Sequence, residues 1–283
     1  MFAFIDRHKD TYNVQGLCQH YGVSRSGYYA WQQRPRSAHA KANEDLLAHI
    51  AAIHHRSHQT YGSPRVWAAL QKQGVGCGEN RVARLMRAAG LQGRVVKVTR
   101  RAPGVHRFYQ ATDNLRLHRP APTEVNQQWV GDVTYLKANG TPCFMAVVMD
   151  VFSRKVVGWA LGRDRTVNLT ALAMQRAMRH RNPSPGLIFH SDRGIEYGAY
   201  RYRELLDRRG IQPSMNRARG CQDNAHIESF FHTMKAEWIR GRQFESYDAL
   251  QAALQCYIRF YNRYRLHSGI DYCTPEEYES CAA

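Results

Sequence analysis

The sequence predicts an α/β protein: small all-α segments with a helix-turn-helix cadence, then a mixed five-stranded sheet covered by helices. Three observations predict it. Apolar residues recur at helical spacing up to Gly90, and the texture switches at Trp129 to alternation and short apolar runs. Three consecutive strand-like segments are then followed by alternating helix and strand, the order of a mixed sheet. Positive charge gathers in front: residues 1–125 hold 19 Lys+Arg against 7 Asp+Glu, and residues 126–283 hold 21 against 16.

The elements follow in order. VQGLCQHYGVSRSGYYAWQQR is a short helical pattern, a Gly22 break, and a second helix that Ser24 is placed to cap. It fits a helix-turn-helix or a plain pair of packed helices, and residues 1–44 form this first segment. Residues 45–93 repeat the idea, with Pro64 at a helix start and a GVGCGEN break before RVARLMRAAG. There Val82, Leu85, Met86 and Ala89 share an apolar face, while Arg81, Arg84 and Arg87 recur on another. Such a helix suits docking on phosphates, although a solvated basic face has the same pattern. Residues 94–125, with Arg100 and Arg101, are basic, rich in proline and aperiodic, as a linker along a nucleic-acid backbone would be. Residues 126–283 form the third part and its helical tail. WVGDVTYL, CFMAVVMDVFS and RKVVGWALG read as an antiparallel meander whose first turn holds Asn139-Gly140. TVNLTALAMQRAMRH is helical, LIFHSD a short strand, AYRYRELLDRRG helical and IQPSMN a last strand, before helices at CQDNAHIESFFHTMKAE and SYDALQAALQCYIRFYNRYR.

Composition narrows the function. A net charge of +17 points to a polyanionic partner, with DNA, RNA and an anionic membrane surface all compatible at this level. Seven scattered cysteines without a CxxC pair suit a reducing cytoplasm and argue against a zinc finger. The longest apolar run, CFMAVVM, is far too short to span a bilayer, so no membrane role is expected.

Against this basic background three acids stand out. Asp132 lies among apolar residues in the first strand, Asp192 closes LIFHSD, and Glu228 lies in the helix after the last strand. Each alone is compatible with a turn, edge or surface position. Together they can converge at one sheet edge, where mutual repulsion is relieved by hard divalent ions with oxygen ligands. Mg²⁺, two ions with Mn²⁺ as a substitute, would then serve phosphoryl transfer on nucleic acid. On the helix at 100° per residue, Ile227, Phe230, Phe231, Met234 and Trp238 form an apolar stripe, with Glu228, His232 and Lys235 on its flank. Asp223 or Asn224 is placed to cap that helix, and Glu237 falls on the opposite flank as a solvated acid.

The blocks GVSRSGYYAW, YGSPRVWAAL, WVGDVTYL, MDVFSRKVVGWAL, HSDRGIEY, CQDNAHIESFFHTMKAE and YIRFYNRYRLHSGIDYCTPEEY resemble the OrfB transposases of bacterial insertion sequences, in the family named after insertion sequence three. More distantly they resemble retroviral integrases. The 35 residues between Asp192 and Glu228 match the spacing of that family's acidic triad. The resemblance implies an RNase H-like integrase core with Asp132, Asp192 and Glu228 as catalytic metal ligands. It implies DNA end cleavage and strand transfer by a 3′-hydroxyl, on terminal inverted repeats and target duplex, without ATP or a covalent enzyme intermediate. Lys235 matches a position that contacts element-end DNA, and His190, Arg193, Asn224 and Ser229 match motif positions beside the acids. The implied partners are further copies of the chain on DNA and an OrfA product, separate or fused; the implied setting is the bacterial cytoplasm at the nucleoid. Gly131 departs from the family pattern, which has an acidic or threonine-like residue there. Two other readings share parts of this evidence: a catalytically silent DNA-binding regulator derived from a transposase, and a ribonuclease H.

Overall fold

The computed structural model describes residues 1–33, 37–94, 112–117, 119–217 and 224–282. Three short helices come first: α1 (Phe2–His8), α2 (Val14–His20) and α3 (Arg25–Gln33). Gly22 adopts φ 64° between α2 and α3, a conformation that suits a residue without Cβ. Ser24 Oγ accepts the Gly27 amide at 3.0 Å, the capping role its position predicts. Ile5, Cys18 and Tyr28 close a small core of their own.

Next come α4 (Ala38–Arg56), α5 (Ser63–Lys72) and α6 (Glu79–Ala88). The boundary expected between residues 44 and 45 falls inside α4, because Ser37 caps the helix about two turns earlier and nothing between Ala38 and Arg56 interrupts it. Pro64 occupies the first turn of α5 as expected. On α6, Val82 and Met86 are buried, while Ala89 lies just past the helix end and is exposed.

The sheet consists of β1 (Gln128–Ala138), β2 (Thr141–Asp150), β3 (Val156–Gly162), β4 (Ile188–Ser191) and β5 (Gln212–Met215), in the order β3-β2-β1-β4-β5. The first three strands are antiparallel, and β4 and β5 add in parallel. Asn139 and Gly140 both have positive φ, 46° and 73°, as the tightest hairpin turn requires. Helices α7 (Val167–Arg181), α8 (Ile195–Gly198) and α9 (Tyr200–Asp207) pack on one face of the sheet. On the other lie α10 (Ala225–Met234), a π turn over Lys235–Ile239, and α11 (Tyr247–Arg263), with α12 (Pro275–Ala282) ending the chain.

Leu46, Ile50, Val66 and Val82 of α4–α6 share one continuous core with Val130 and Met145 of the sheet and Phe230 of α10. The second helical segment is therefore packed onto the sheet and α10. Tyr61 fixes this junction: its hydroxyl donates to Tyr264 O at 2.9 Å and accepts the Leu266 amide at 2.8 Å.

Candidate active site

The parallel ladder pairs Gly131 with Ser191, so the residues that follow, Asp132 and Asp192, stand side by side where β4 ends. Alternation along β1 sends Val130 and Asp132 to the face that α10 covers. Asp132 Oδ1 accepts the Val133 amide at 2.7 Å, and Asp192 Oδ1 accepts the Gly194 amide at 3.0 Å. Gly194 leaves room for this, since a Cβ there would lie 2.9 Å from Asp192 Oδ1 and from Glu196 Cδ. Burial, and then the Asp192 charge, push the Asp132 carboxyl well above the carboxylate range, to about 8. Glu228 adds a smaller push from the first turn of α10, and its own affinity for a proton is raised by burial.

Asn224 docks α10 on this edge. It is 2% exposed and its Nδ2 donates to Gly131 O at 3.3 Å. The amide braces β1 against the helix entry through Nδ2, while its buried Oδ1 has no hydrogen-bond partner among the described residues. It stands at the cap position without a side-chain cap bond, and Asp223 lies outside the described residues. His190, wholly buried, lies 2.9 Å from Ser214 Oγ and 2.6 Å from Asn216 Oδ1, tying β4 to β5 below Asp192. Arg193 Nε donates to Asn216 O at 2.7 Å, which holds the turn after Asp192.

Two charged residues that the sequence reading passed over belong to this edge. Glu196, only 6% exposed, accepts from Arg165 Nε at 2.6 Å, and Arg165 Nη2 lies 3.7 Å from Asp192 Oδ2. The guanidinium offsets part of the carboxylate repulsion and lowers the proton affinity of Asp132. No local pattern marks Arg165, because its partners lie about thirty residues on and meet it only through the sheet. Asp150 is also buried, but it serves structure at the Trp129 end of the β1–β2 ladder. It accepts the amides of Asn126, Phe152 and Ser153 and the Trp129 indole.

The chemistry of the donor set suits a hard cation: an aspartate pair held by backbone amides, with one member poised to shed its proton to a positive charge. Glu228 is set apart from the pair, and among the described residues no three acidic, histidine or cysteine groups crowd closely enough to hold one ion. The remaining expected residues are scattered. His232 and Lys235 are half-buried on the flank after Glu228. Arg84 and Arg87 are exposed on α6, whereas Arg81 is partly turned inward, its Nε donating to Asn43 Oδ1 at 2.9 Å. Arg100 and Arg101 lie outside the described residues.

The solvated role expected of Glu237 is corrected. It is 5% exposed and takes two bonds of 2.8 Å from Arg265 Nε and Nη2. The π turn adds a residue to the helical repeat after Met234, so the wheel drawn for a regular helix fails there. Its cation comes from beyond α11, out of reach of any local pattern.

The chain matches three family models: an HTH-like domain over residues 41–99, and two integrase core domain models over residues 122–221 and 209–275. It is 36% identical over 272 residues to the insertion element IS600 uncharacterized 31 kDa protein of Shigella sonnei, covering 94% of this chain and 100% of that one. It is 34% identical over 286 residues to transposase InsF for insertion sequence IS3A of Escherichia coli (strain K12), covering 99% of this chain and 98% of the relative. Among solved structures, a simian T-cell lymphotropic virus intasome in complex with PP2A regulatory subunit B56 gamma aligns with a TM-score of 0.48 at 17% identity, over 81% of this chain and 74% of that one. The HTLV-2 integrase catalytic core domain in complex with magnesium (dimeric form) aligns with a TM-score of 0.42 at 17% identity, over 55% of this chain and 97% of that one.

Proposed function

The chain belongs to the transposase family of insertion sequence IS3, and from that premise we propose that Asp132, Asp192 and Glu228 are its catalytic carboxylates. It is a DDE-type polynucleotidyl transferase acting in DNA transposition. The observation that carries the assignment is the pairing of Asp132 with Asp192 across the β1–β4 ladder, with α10 braced on the same edge by Asn224.

These carboxylates would hold Mg²⁺, as two ions that Mn²⁺ can replace; when bound, the metal polarises the attacking and leaving oxygens of a phosphodiester. The chain's own residues supply the frame. The Gly194 amide fixes the Asp192 carboxylate, the His190–Ser214–Asn216 cluster fixes the strand behind it, and Arg165 limits repulsion among the acids. Arg84 and Arg87 offer exposed charge on α6 for the duplex, with Lys235 and His232 nearer the acids. An element has two ends to be joined, so the chain works as a multimer on terminal repeats and target DNA, with an OrfA product or fusion as partner. No helix among the described residues is long and apolar enough to cross a membrane. The setting that goes with this reading is the bacterial cytoplasm at the nucleoid.

The test is an Asp192→Asn and Glu228→Gln pair assayed for strand joining on element-end duplexes and for Mg²⁺ binding by calorimetry. Both activities are expected to vanish while duplex binding persists. Full joining by Asp192→Asn protein would sink the assignment, and a wild-type chain that shifts DNA without nicking it would be a regulator instead.

A further inference from the structure

On the side of α10 turned away from Glu228 lies a cavity of about 270 Å³. Its walls come from three parts of the chain: Arg65 of α5, Arg154 of the β2–β3 turn, and His226, Ser229 and Thr233 of α10. At 100° per residue these three α10 positions share one face, while Glu228 points to another. We propose that this pocket binds one backbone phosphate of duplex DNA, remote from the phosphodiester that reacts. The inference rests on the DNA-transposing reading and adds to it a second point of attachment.

Charge is the first argument. Among the described residues neither Arg65 nor Arg154 has a carboxylate within 4.0 Å, although both are half-buried. Arg65 Nε donates to Leu266 O at 3.1 Å, and Arg154 Nη1 meets His226 Nδ1. Each guanidinium carries five N–H donors, so most are without a protein acceptor among the described residues. Arg265 also lines the cavity, but Glu237 neutralises it with a two-pronged pair, so Arg65 and Arg154 are the lining cations without a directly paired carboxylate among the described residues. Burial, and for Arg65 then the neighbouring Arg265, lowers the proton affinity of these arginines.

Shape and chemistry agree. The hydroxyls of Ser229 and Thr233 have no protein partner among the described residues, and stand one helical turn apart at the rim. Two guanidinium forks with two hydroxyls match the tetrahedral oxygens of a phosphate better than a planar carboxylate. A larger cavity of about 470 Å³ continues from it, sharing Arg154 and His226 and adding Arg116 and Arg119. A strand leaving the pocket therefore finds further positive charge along its path. Because Arg65 belongs to the helical segment and Ser229 to the catalytic half, one phosphate held here sets the angle at which DNA crosses both.

The experiment uses the full chain in metal-free buffer with a mixed-sequence duplex, so that binding is read without catalysis. Anisotropy titrations over a salt series compare wild type with Arg65→Gln, Arg154→Gln and the double variant. One lost phosphate contact makes the slope of log K against log salt shallower by about 1. The expected result is that change in the double variant, with weaker binding on every sequence tested and an unchanged melting temperature. An unchanged slope in a folded double variant overturns the pocket. If the glutamine variants misfold, Arg65→Lys and Arg154→Lys keep the charge but lose the fork: severalfold weaker binding supports the proposal, and unaltered binding overturns it. Inorganic phosphate that raises the melting temperature while the double variant keeps the wild-type slope identifies a small-anion site and overturns the DNA assignment. Wild-type chain that binds no duplex overturns the functional reading along with the pocket.

Discussion

Gly131→Ala should disable the catalytic edge through packing alone. A Cβ at this position would lie 2.4 Å from Phe189 Cζ and 2.7 Å from its Cε2. Ordinary carbon–carbon contact begins near 3.5 Å, so the ring or the strand must move by about 1 Å. Phe189 has little freedom to do so: it is 2% exposed, with Tyr197 and Tyr202 each 5.8 Å away by ring centroid. Overpacking of this kind costs about 1–3 kcal/mol. The displacement falls between β1 and β4, one residue before Asp132 and Asp192, and a 1 Å error in a catalytic group can cost about 10²-fold in rate. Urea unfolding would give the stability loss and a strand-joining assay the rate. The decisive measurement is the cycle with Phe189→Leu, which makes room for the added methyl. Gly131→Ala/Phe189→Leu should be more stable than the sum of the single changes by about 1 kcal/mol or more. A Gly131→Ala protein as stable and active as wild type would refute the reasoning.

Other outcomes follow from the buried charges and close approaches. Glu237→Gln leaves Arg265, 4% exposed, without its counter-charge; urea unfolding should show a loss of about 3–5 kcal/mol, and a loss below about 1 would deny the pair its role. Burial, then the neighbouring Arg265, depress the His267 pKa to about 2, so the unfolded chain binds this proton first. Its contribution to stability is complete above the unfolded value near 6.5 and falls as pH drops below it, by up to about 1.4 kcal/mol per pH unit. His267→Asn should flatten the pH dependence of urea midpoints between about pH 6 and 4, and an unaltered slope would refute the shift. Gly158→Ala would bring a Cβ to 2.3 Å from Ala173 O, a backbone atom that cannot yield without separating β3 from α7. Differential scanning calorimetry should find it less stable by at least about 1–3 kcal/mol.

Much of the architecture was legible along the chain. Asn139-Gly140 announced the hairpin, Gly22 and Ser24 the break between α2 and α3, and Pro64 the start of α5, because turn and cap chemistry is local. The apolar stripe of Ile227, Phe230, Phe231 and Met234 gave the buried face of α10 for the same reason. Trp238, the last member of that stripe, is buried as well, but the hydrogen-bond repeat lengthens from Lys235 and the solvated reading of Glu237 fails there. Asn224 was legible as a motif position and a cap candidate, but the strand carbonyl that takes its amide, Gly131 O, lies 93 residues earlier in the chain.

What the sequence by itself determined is the set of elements and the spacing of the acids, since periodicity, turns and charge are properties of neighbours in the chain. The tertiary structure alone decided which partners those residues meet: Glu237 with Arg265, Arg165 with Asp192 and Glu196, Phe189 beneath Gly131, and Arg65 across a cavity from Ser229. The reason is physical. A helix or strand pattern specifies the face a residue presents, but the charge or ring waiting there arrives from tens to hundreds of residues away, placed by packing of the whole sheet.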